Sequence, residues 1–301
     1  MDAPPRIFDR RLHALRLRRA APGFADAGFL KARSAGDLVE RLEAVNRRFP
    51  LTVDLGARTG AFAAALERSP ARAKIDLLIE SDLAFVMLNR PAAARLVADE
   101  ERLPFAPGAV DMIVSSLALH WVNDLVGALV QVRRALRPDG LFLGSMLGGP
   151  TLSELRACVT EAESQVRGGA GPRVSPFVAA ADAGALLQRA GFALPVADTD
   201  EIEVSYEHPL KLLADLRAMG ETNVLVDRPA TPLGRATLTR MLELYAQRHA
   251  TADGRVVASF QILTLTGWAP HPDQPKPLRP GSATHRLADV LQRRPPATTR
   301  E

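Results

Sequence analysis

The segment VDLGARTG, Val53 to Gly60, joins an apolar run to a helix start through a turn containing two glycines. Gly56 and Gly60 can adopt backbone geometries closed to other residues, and without a Cβ they let a ligand approach the main chain. Asp54 ends the apolar run, where a carboxylate orients either an ammonium group or the turn itself. A helix opening at Gly60 offers free N–H groups to a carboxylate. Arg58 sits inside the turn, where it faces solvent, pairs with a ligand carboxylate or blocks the site. Glu80 ends the next apolar run, either accepting hydrogen bonds from two ribose hydroxyls or standing solvated in a loop. These features point to a ribose-bearing ligand without separating NAD from S-adenosylmethionine. No Gly-Lys-Ser/Thr phosphate loop is present.

A third group lies in ADEERLPFAPGAVDMIVSS, residues 98 to 116, where Asp99 and Glu100 follow one apolar run and Ser116 closes the next. Beyond it, LALHWVND brings His120 and Trp121 to the end of a strand. His120 there acts as a base or orients an acceptor, or it hydrogen-bonds locally and packs beside Trp121. Asn123 and Asp124 suit the cap of the following helix. Met219 to Asn223, MGETN, ends a helix late in the chain. One metal-like pattern exists, His271-Pro272-Asp273, as two of three facial ligands. It lies in a Pro-rich stretch away from these motifs.

The elements that must position these residues alternate. Apolar runs at 51–56, 74–80, 94–100, 109–117 and 140–147 are separated by helical stretches, notably Gly60 to Arg68 and Asn123 to Leu136. That spacing predicts βαβ units and a mostly parallel sheet buried on both faces. Basic amphipathic residues 7–20 predict a first helix, and Ala35 to Phe49 a second, ended by Pro50. The turn RPDG (137–140) closes a helix and launches a strand. Further helices are expected at 151–166 and 179–189. A strand at 200–206, a helical stretch over 208–250 broken around 220–232, and a last strand at 255–268 follow. The organisation expected is an N-terminal helical lid (1–50), a core domain (51–268) with a helical insertion at about 207–254, and a Pro-rich disordered tail (269–301).

Composition narrows the class. At 301 residues with 47% hydrophobic content the chain can bury a large core, and with 5% aromatics that core is aliphatic. The net charge of +4 permits an acidic partner without requiring one. Few aromatics are interleaved with basic residues, which argues against nucleic acid. One cysteine, Cys158, excludes a disulfide framework within one chain and suits a reducing, cytoplasmic setting. No apolar run reaches the ~20 residues of a membrane span, and the N-terminus lacks the apolar core of a secretory signal.

VDLG, Glu80, Asp99, LPF, VDMIVSS and LRPDG follow, across residues 51 to 147, the order of class I methyltransferases, which this chain resembles. The resemblance implies a doubly wound, mostly parallel seven-stranded α/β sheet and S-adenosylmethionine as cofactor. It places Asp54, Gly56, Arg58, Gly60, Glu80, Asp99, Glu100 and Ser116 at the cofactor and His120 and Trp121 at the acceptor. One departure stands out: the family's Gly-x-Gly-x-Gly turn has Arg58 at its middle glycine and Ala57 in place of a frequent cysteine. IFDRRL (7–12), SSLALHWVNDL (115–125), SMLGGPTLSELR (145–156), VSPF (174–177), DTDEIEVSY (198–206), LLADLRAMGETN (212–223), FQILTLTGW (260–268) and GSAT near Gly281 add a narrower similarity. They resemble mitochondrial complex I assembly factors with a methyltransferase fold and their bacterial relatives, and more distantly malonyl-carrier-protein methyltransferases of biotin synthesis. The first implies arginine hydroxylation in a complex I subunit, the second methyl transfer to a thioester's free carboxyl on a carrier protein. A non-catalytic assembly factor, peripheral to the inner membrane through its partner, is the alternative.

Overall fold

The computed structural model describes residues 6–90 and 93–274. The chain runs α1 (Arg10–Ala20), α2 (Phe24–Ala27), α3 (Phe29–Ala44), β1 (Phe49–Leu55), α4 (Ala61–Leu66), β2 (Ile75–Asp82), β3 (Ala94–Val97) and β4 (Val110–Ser115). It continues through α5 (Leu125–Ala135), β5 (Leu136–Leu147), α6 (Ser153–Arg167), α7 (Ala180–Ala190), β6 (Ala193–Tyr206), α8 (Pro209–Ala218), α9 (Arg235–His249) and β7 (Val256–Trp268). The sheet order is β3-β2-β1-β4-β5-β7-β6. The first five strands in that order pair in parallel, and β7 lies antiparallel between β5 and β6. Gly281 and most of the Pro-rich tail lie outside the described residues.

Both faces of the sheet are covered, as the unbroken apolar runs required. Successive side chains on a strand alternate. Met112 and Val114 therefore join α3 and α4 in one aliphatic layer with Leu38, Leu42 and Phe62. Ile113, between them, joins α5 and α7 on the opposite face with Leu129, Val132 and Leu187. A third core forms where α6, α8 and α9 cover the ends of β6 and β7 around Cys158, Tyr245 and Phe260.

The second helix differs from expectation: it ends at Ala44, and Pro50 lies inside β1 instead of stopping a helix. Proline is tolerated near a strand's start, and Pro50 is exposed there. RPDG is likewise part of β5, with Asp139 at φ 62°, beside an irregularity in the β4–β5 register. The N-terminal segment runs over the carboxyl ends of the parallel strands. Phe8 bridges to Leu225 and packs on Trp121, while Leu17, Ala20 and Phe24 pack on Ala84 and Met87 just beyond β2.

Candidate active site

β1 lies between β2 and β4, so the sheet's topological switch falls at its carboxyl end, where open α/β sheets bind ligands. The turn leaving β1 is clamped from below: Gly56 N and Ala57 N both donate to Ser81 O at 2.8 Å. Gly56 and Gly60 have φ of 75° and 80°. A Cβ on Gly56 would stand 2.3 Å from that of Ala118, and one on Gly60 2.7 Å from Glu80 Oε1. Both positions thus require glycine for space as well as for conformation.

Five carboxylates converge on this edge. Asp54 and Glu80 are register partners on β1 and β2, and both are buried. Neither Asp54 oxygen has a hydrogen-bonded partner, nor does Glu80 Oε2. Burial pushes the Asp54 carboxyl up to about 7, against the pull of Lys31 and helped by Glu80 and Asp82. Asp82 ends β2 and is fully buried. Asp99 and Glu100 lie just beyond β3.

Four cations from four segments meet these groups. Arg90 Nη1 donates to Glu80 Oε1 at 2.8 Å. Arg10 on α1 donates to Asp99 at 2.7 Å, to the buried Glu100, and to the Trp121 carbonyl at 3.1 Å. Arg58 folds inward: its backbone N and its Nη1 donate to Asp82 Oδ2 at 3.0 and 2.7 Å. It does so with φ 54° in the left-handed region. Lys31 Nζ, from α3, donates to the carbonyls of Gly56 and Ser116 at 2.8 and 2.5 Å. Burial outweighs all else on Lys31 and, with the facing Arg58, brings its ammonium down to about 8.

Ser116 thus presents its carbonyl to the cleft, while its hydroxyl donates to Ser34 Oγ at 3.1 Å. His13 on α1 is buried over Arg58, 3.5 Å from its Nη2. Burial and the two arginines hold His13 well below its usual range, so it is neutral.

The acceptor candidates lie beside the cleft. His120 Nε2 stands 3.0 Å from Glu221 Oε2, on the loop after α8. Burial alone would raise Glu221, but His120 and Arg58 outweigh it and keep the carboxyl below its usual range. Trp121 is a buried platform, with rings of Phe8, His13 and His120 at 5.4, 5.0 and 5.2 Å. A chamber of about 210 Å³ adjoins it, walled by Leu30, Leu152, Leu216 and Phe260 and reaching Glu221. A smaller cavity of about 30 Å³ shares Leu30, Leu147, Met219 and Glu221 with it and extends to Lys31, Arg58 and His120. Glu163 holds the chamber's outer wall by accepting from Arg173 at 2.7 Å and from Gly171 N at 3.1 Å.

Every residue singled out between Asp54 and Trp121 therefore lies along one edge of the sheet. His271 and Asp273 stand 3.6 Å apart in the tail, and no group of three metal-ligating side chains occurs among the described residues. Sequence reasoning missed Asp82, Lys31, Arg10 and Arg90. Asp82 was signalled by strand alternation, since it shares a face with Glu80 and stands nearer the edge.

The profile of a methyltransferase-domain family matches residues 53–144. The mitochondrial arginine-hydroxylase NDUFAF5 of Mus musculus is 39% identical over 293 residues, covering 95% of this chain and 84% of its own length. A malonyl-[acyl-carrier protein] O-methyltransferase of Methylovorus sp. is 31% identical over 284 residues, covering 90% and 92%. Among solved structures, the YcgJ protein of Bacillus shares the fold at a TM-score of 0.53 and 16% identity, covering 78% of this chain and 98% of its own.

Proposed function

The chain belongs to the class I S-adenosylmethionine-dependent methyltransferase superfamily, and we propose that it transfers a methyl group from that cofactor to a carboxyl or side chain entering through the apolar chamber. One observation carries this reading: the cleft at the switch point is lined by acceptors, from Asp54 through Glu80, Asp82, Asp99 and Glu100 to the carbonyls of Gly56 and Ser116. S-adenosylmethionine presents donors to match, in an ammonium, two ribose hydroxyls and an adenine amine. The unpartnered oxygens of Asp54 and Glu80 and the Cβ-free cradle at Gly56 and Gly60 fit it. A dinucleotide would set phosphates against the same acids.

When bound, S-adenosylmethionine supplies a methyl group on a sulfonium already activated for displacement, so positioning contributes most of the rate. The chain's part is to orient and to exclude water. Glu221 orients the His120 ring by accepting from Nε2, and His120 Nδ1 has no hydrogen-bonded partner, so that atom is the one an acceptor group can meet. The mostly apolar walls of the chamber, with Leu30, Leu152, Leu216 and Phe260, suit the apolar part of an acceptor.

A second reading rests on Glu221 itself. A carboxylate lining an apolar chamber suits a guanidinium on an aliphatic stem, and a relative 39% identical is named an arginine-hydroxylase. On this reading the partner is a respiratory complex I subunit; on the first it is a carrier protein. No helix among the described residues is long and apolar enough to cross a membrane. Placement in the cytoplasm, or beside a membrane through the partner, follows from the partner chosen.

Calorimetric titration tests the cofactor: S-adenosylhomocysteine binds and NAD and ATP do not. Absence of binding at millimolar concentration, or a preference for NAD, overturns the reading. Mass spectrometry of complex I subunits and carrier proteins from a deletion strain then separates an added methyl from an added hydroxyl.

A further inference from the structure

Of the four cations in the cleft, Arg10, Arg58 and Arg90 each face a carboxylate. Lys31 is held differently: its hydrogen bonds go to two neutral carbonyls, Gly56 O at the turn after β1 and Ser116 O beyond β4. Those carbonyls are the ends of adjacent parallel strands and aim at one point. A pair of carbonyls converging on a point selects a compact ammonium over a planar guanidinium. The chain uses lysine sparingly: only Lys31, Lys74, Lys211 and Lys276 among 38 basic residues. Lys74 is likewise a carbonyl-bound ammonium, donating to Leu42, Glu43 and Val45. At position 31 that choice sits in the cofactor cleft.

Whatever ammonium approaches this turn meets acceptors already in use. Lys31 is buried, so its nitrogen cannot simply retreat to water. It does border the small cavity it shares with Arg58, His120 and Glu221, and Glu221 is an anion. The side chain therefore has both space and a charge to move toward.

We propose that Lys31 is a built-in competitor for the cofactor's ammonium: its Nζ holds the two carbonyl anchors at Gly56 and Ser116, and cofactor binds by displacing it toward Glu221. This rests on the S-adenosylmethionine reading and deepens it. The displaced ammonium arrives beside the His120–Glu221 pair, so cofactor entry alters the electrostatics of the acceptor pocket. Groups facing Lys31 from the packed elements are Asp54, Asp82, Arg58 and Glu221, and each keeps its place in this account.

The test is calorimetric titration of the full chain with two ligands. S-adenosylhomocysteine carries the amino-acid ammonium; methylthioadenosine shares its adenosine part and lacks the ammonium. Lys31→Met removes the charge and keeps the bulk, and Lys31→Gln keeps a donor for one carbonyl, so the test survives if the methionine variant fails to fold. Expected is that the variants bind S-adenosylhomocysteine about tenfold tighter than wild type, the change that follows when one charge-assisted interaction no longer has to be displaced. Methylthioadenosine binds all versions alike. Equal or weaker S-adenosylhomocysteine binding by the variants overturns the competitor role and leaves the cofactor reading standing. An equal gain for both ligands also overturns it, because it reports a loosened cleft. If no version binds either ligand, the cofactor reading falls and this proposal falls with it.

Discussion

His120 Nε2 and Glu221 Oε2 stand 3.0 Å apart across a sequence separation of 101 residues, and Glu221 is shared by the apolar chamber and the smaller cavity that His120 lines. The pair ties the end of the β4 loop to the insertion between β6 and β7, and Glu221 fixes which ring nitrogen carries the proton. If His120 serves the acceptor, His120→Ala lowers methyl transfer by about 10²-fold, the lower end for a positioned base, with the dissociation constant for S-adenosylhomocysteine unchanged. Glu221→Gln lowers it in the same sense, because an amide no longer dictates the tautomer. Single-turnover rates alongside binding titrations check both. Unchanged turnover in His120→Ala removes that residue from the site.

Arg58 sets the second prediction. A non-glycine residue at φ 54° costs roughly 1–2 kcal/mol, and breaking a buried ion pair costs about 3–5 kcal/mol. The pair with Asp82 therefore outweighs the strain. Arg58→Gly restores the family's glycine but leaves Asp82 buried with backbone donors alone. Its expected net cost is about 1–4 kcal/mol, a fall in Tm of roughly 2–8 °C at about 2 °C per kcal/mol for a domain this size. A variant melting at or above wild type shows the strain to be the larger effect.

The sheet was legible because its strands are continuous apolar runs separated by helical stretches, and the cofactor turn because glycines mark where a Cβ cannot fit. The carboxylates Asp54, Glu80, Asp99 and Glu100 were visible as acids at strand ends. Their counter-cations were not. Arg10 and Lys31 belong to helices that read as amphipathic surface, and nothing local to RRLHALRLRRA says that Arg10 points inward while Arg18 and Arg19 do not. That distinction is set by tertiary packing, with Leu17 and Phe24 seating on Met87 and Phe8 on Trp121. The same holds for Arg58, whose inward fold depends on a carboxylate 24 residues away that no pattern in the turn encodes. The second helix lies earlier than its pattern predicts, because Pro50 sits inside β1, which begins at Phe49, and stops no helix.

The last prediction concerns pH and Asp54. Burial raises its carboxyl from 3.8 to about 7, with Lys31 and Arg58 pulling down and Glu80 and Asp82 pushing up. A carboxyl with a folded pKa above its unfolded value binds a proton more tightly in the native state. Its contribution to stability is fully present below about pH 4 and is lost as pH rises through about 7. Asp54→Asn replaces the carboxyl with a group that stays neutral throughout. The difference in unfolding free energy, wild type minus Asp54→Asn, should therefore fall steadily between about pH 4 and pH 7. Its span is at most about 4 kcal/mol, since three units at 1.36 kcal/mol each set the ceiling and Lys31 shares the titration. Denaturant melts of both proteins at matched ionic strength over that range measure it. Comparing the two proteins cancels every carboxylate the substitution leaves untouched. A difference that stays flat, or that grows toward neutral pH, means that the Asp54 carboxylate is matched by Lys31 in the native state and that its burial carries no protonation cost.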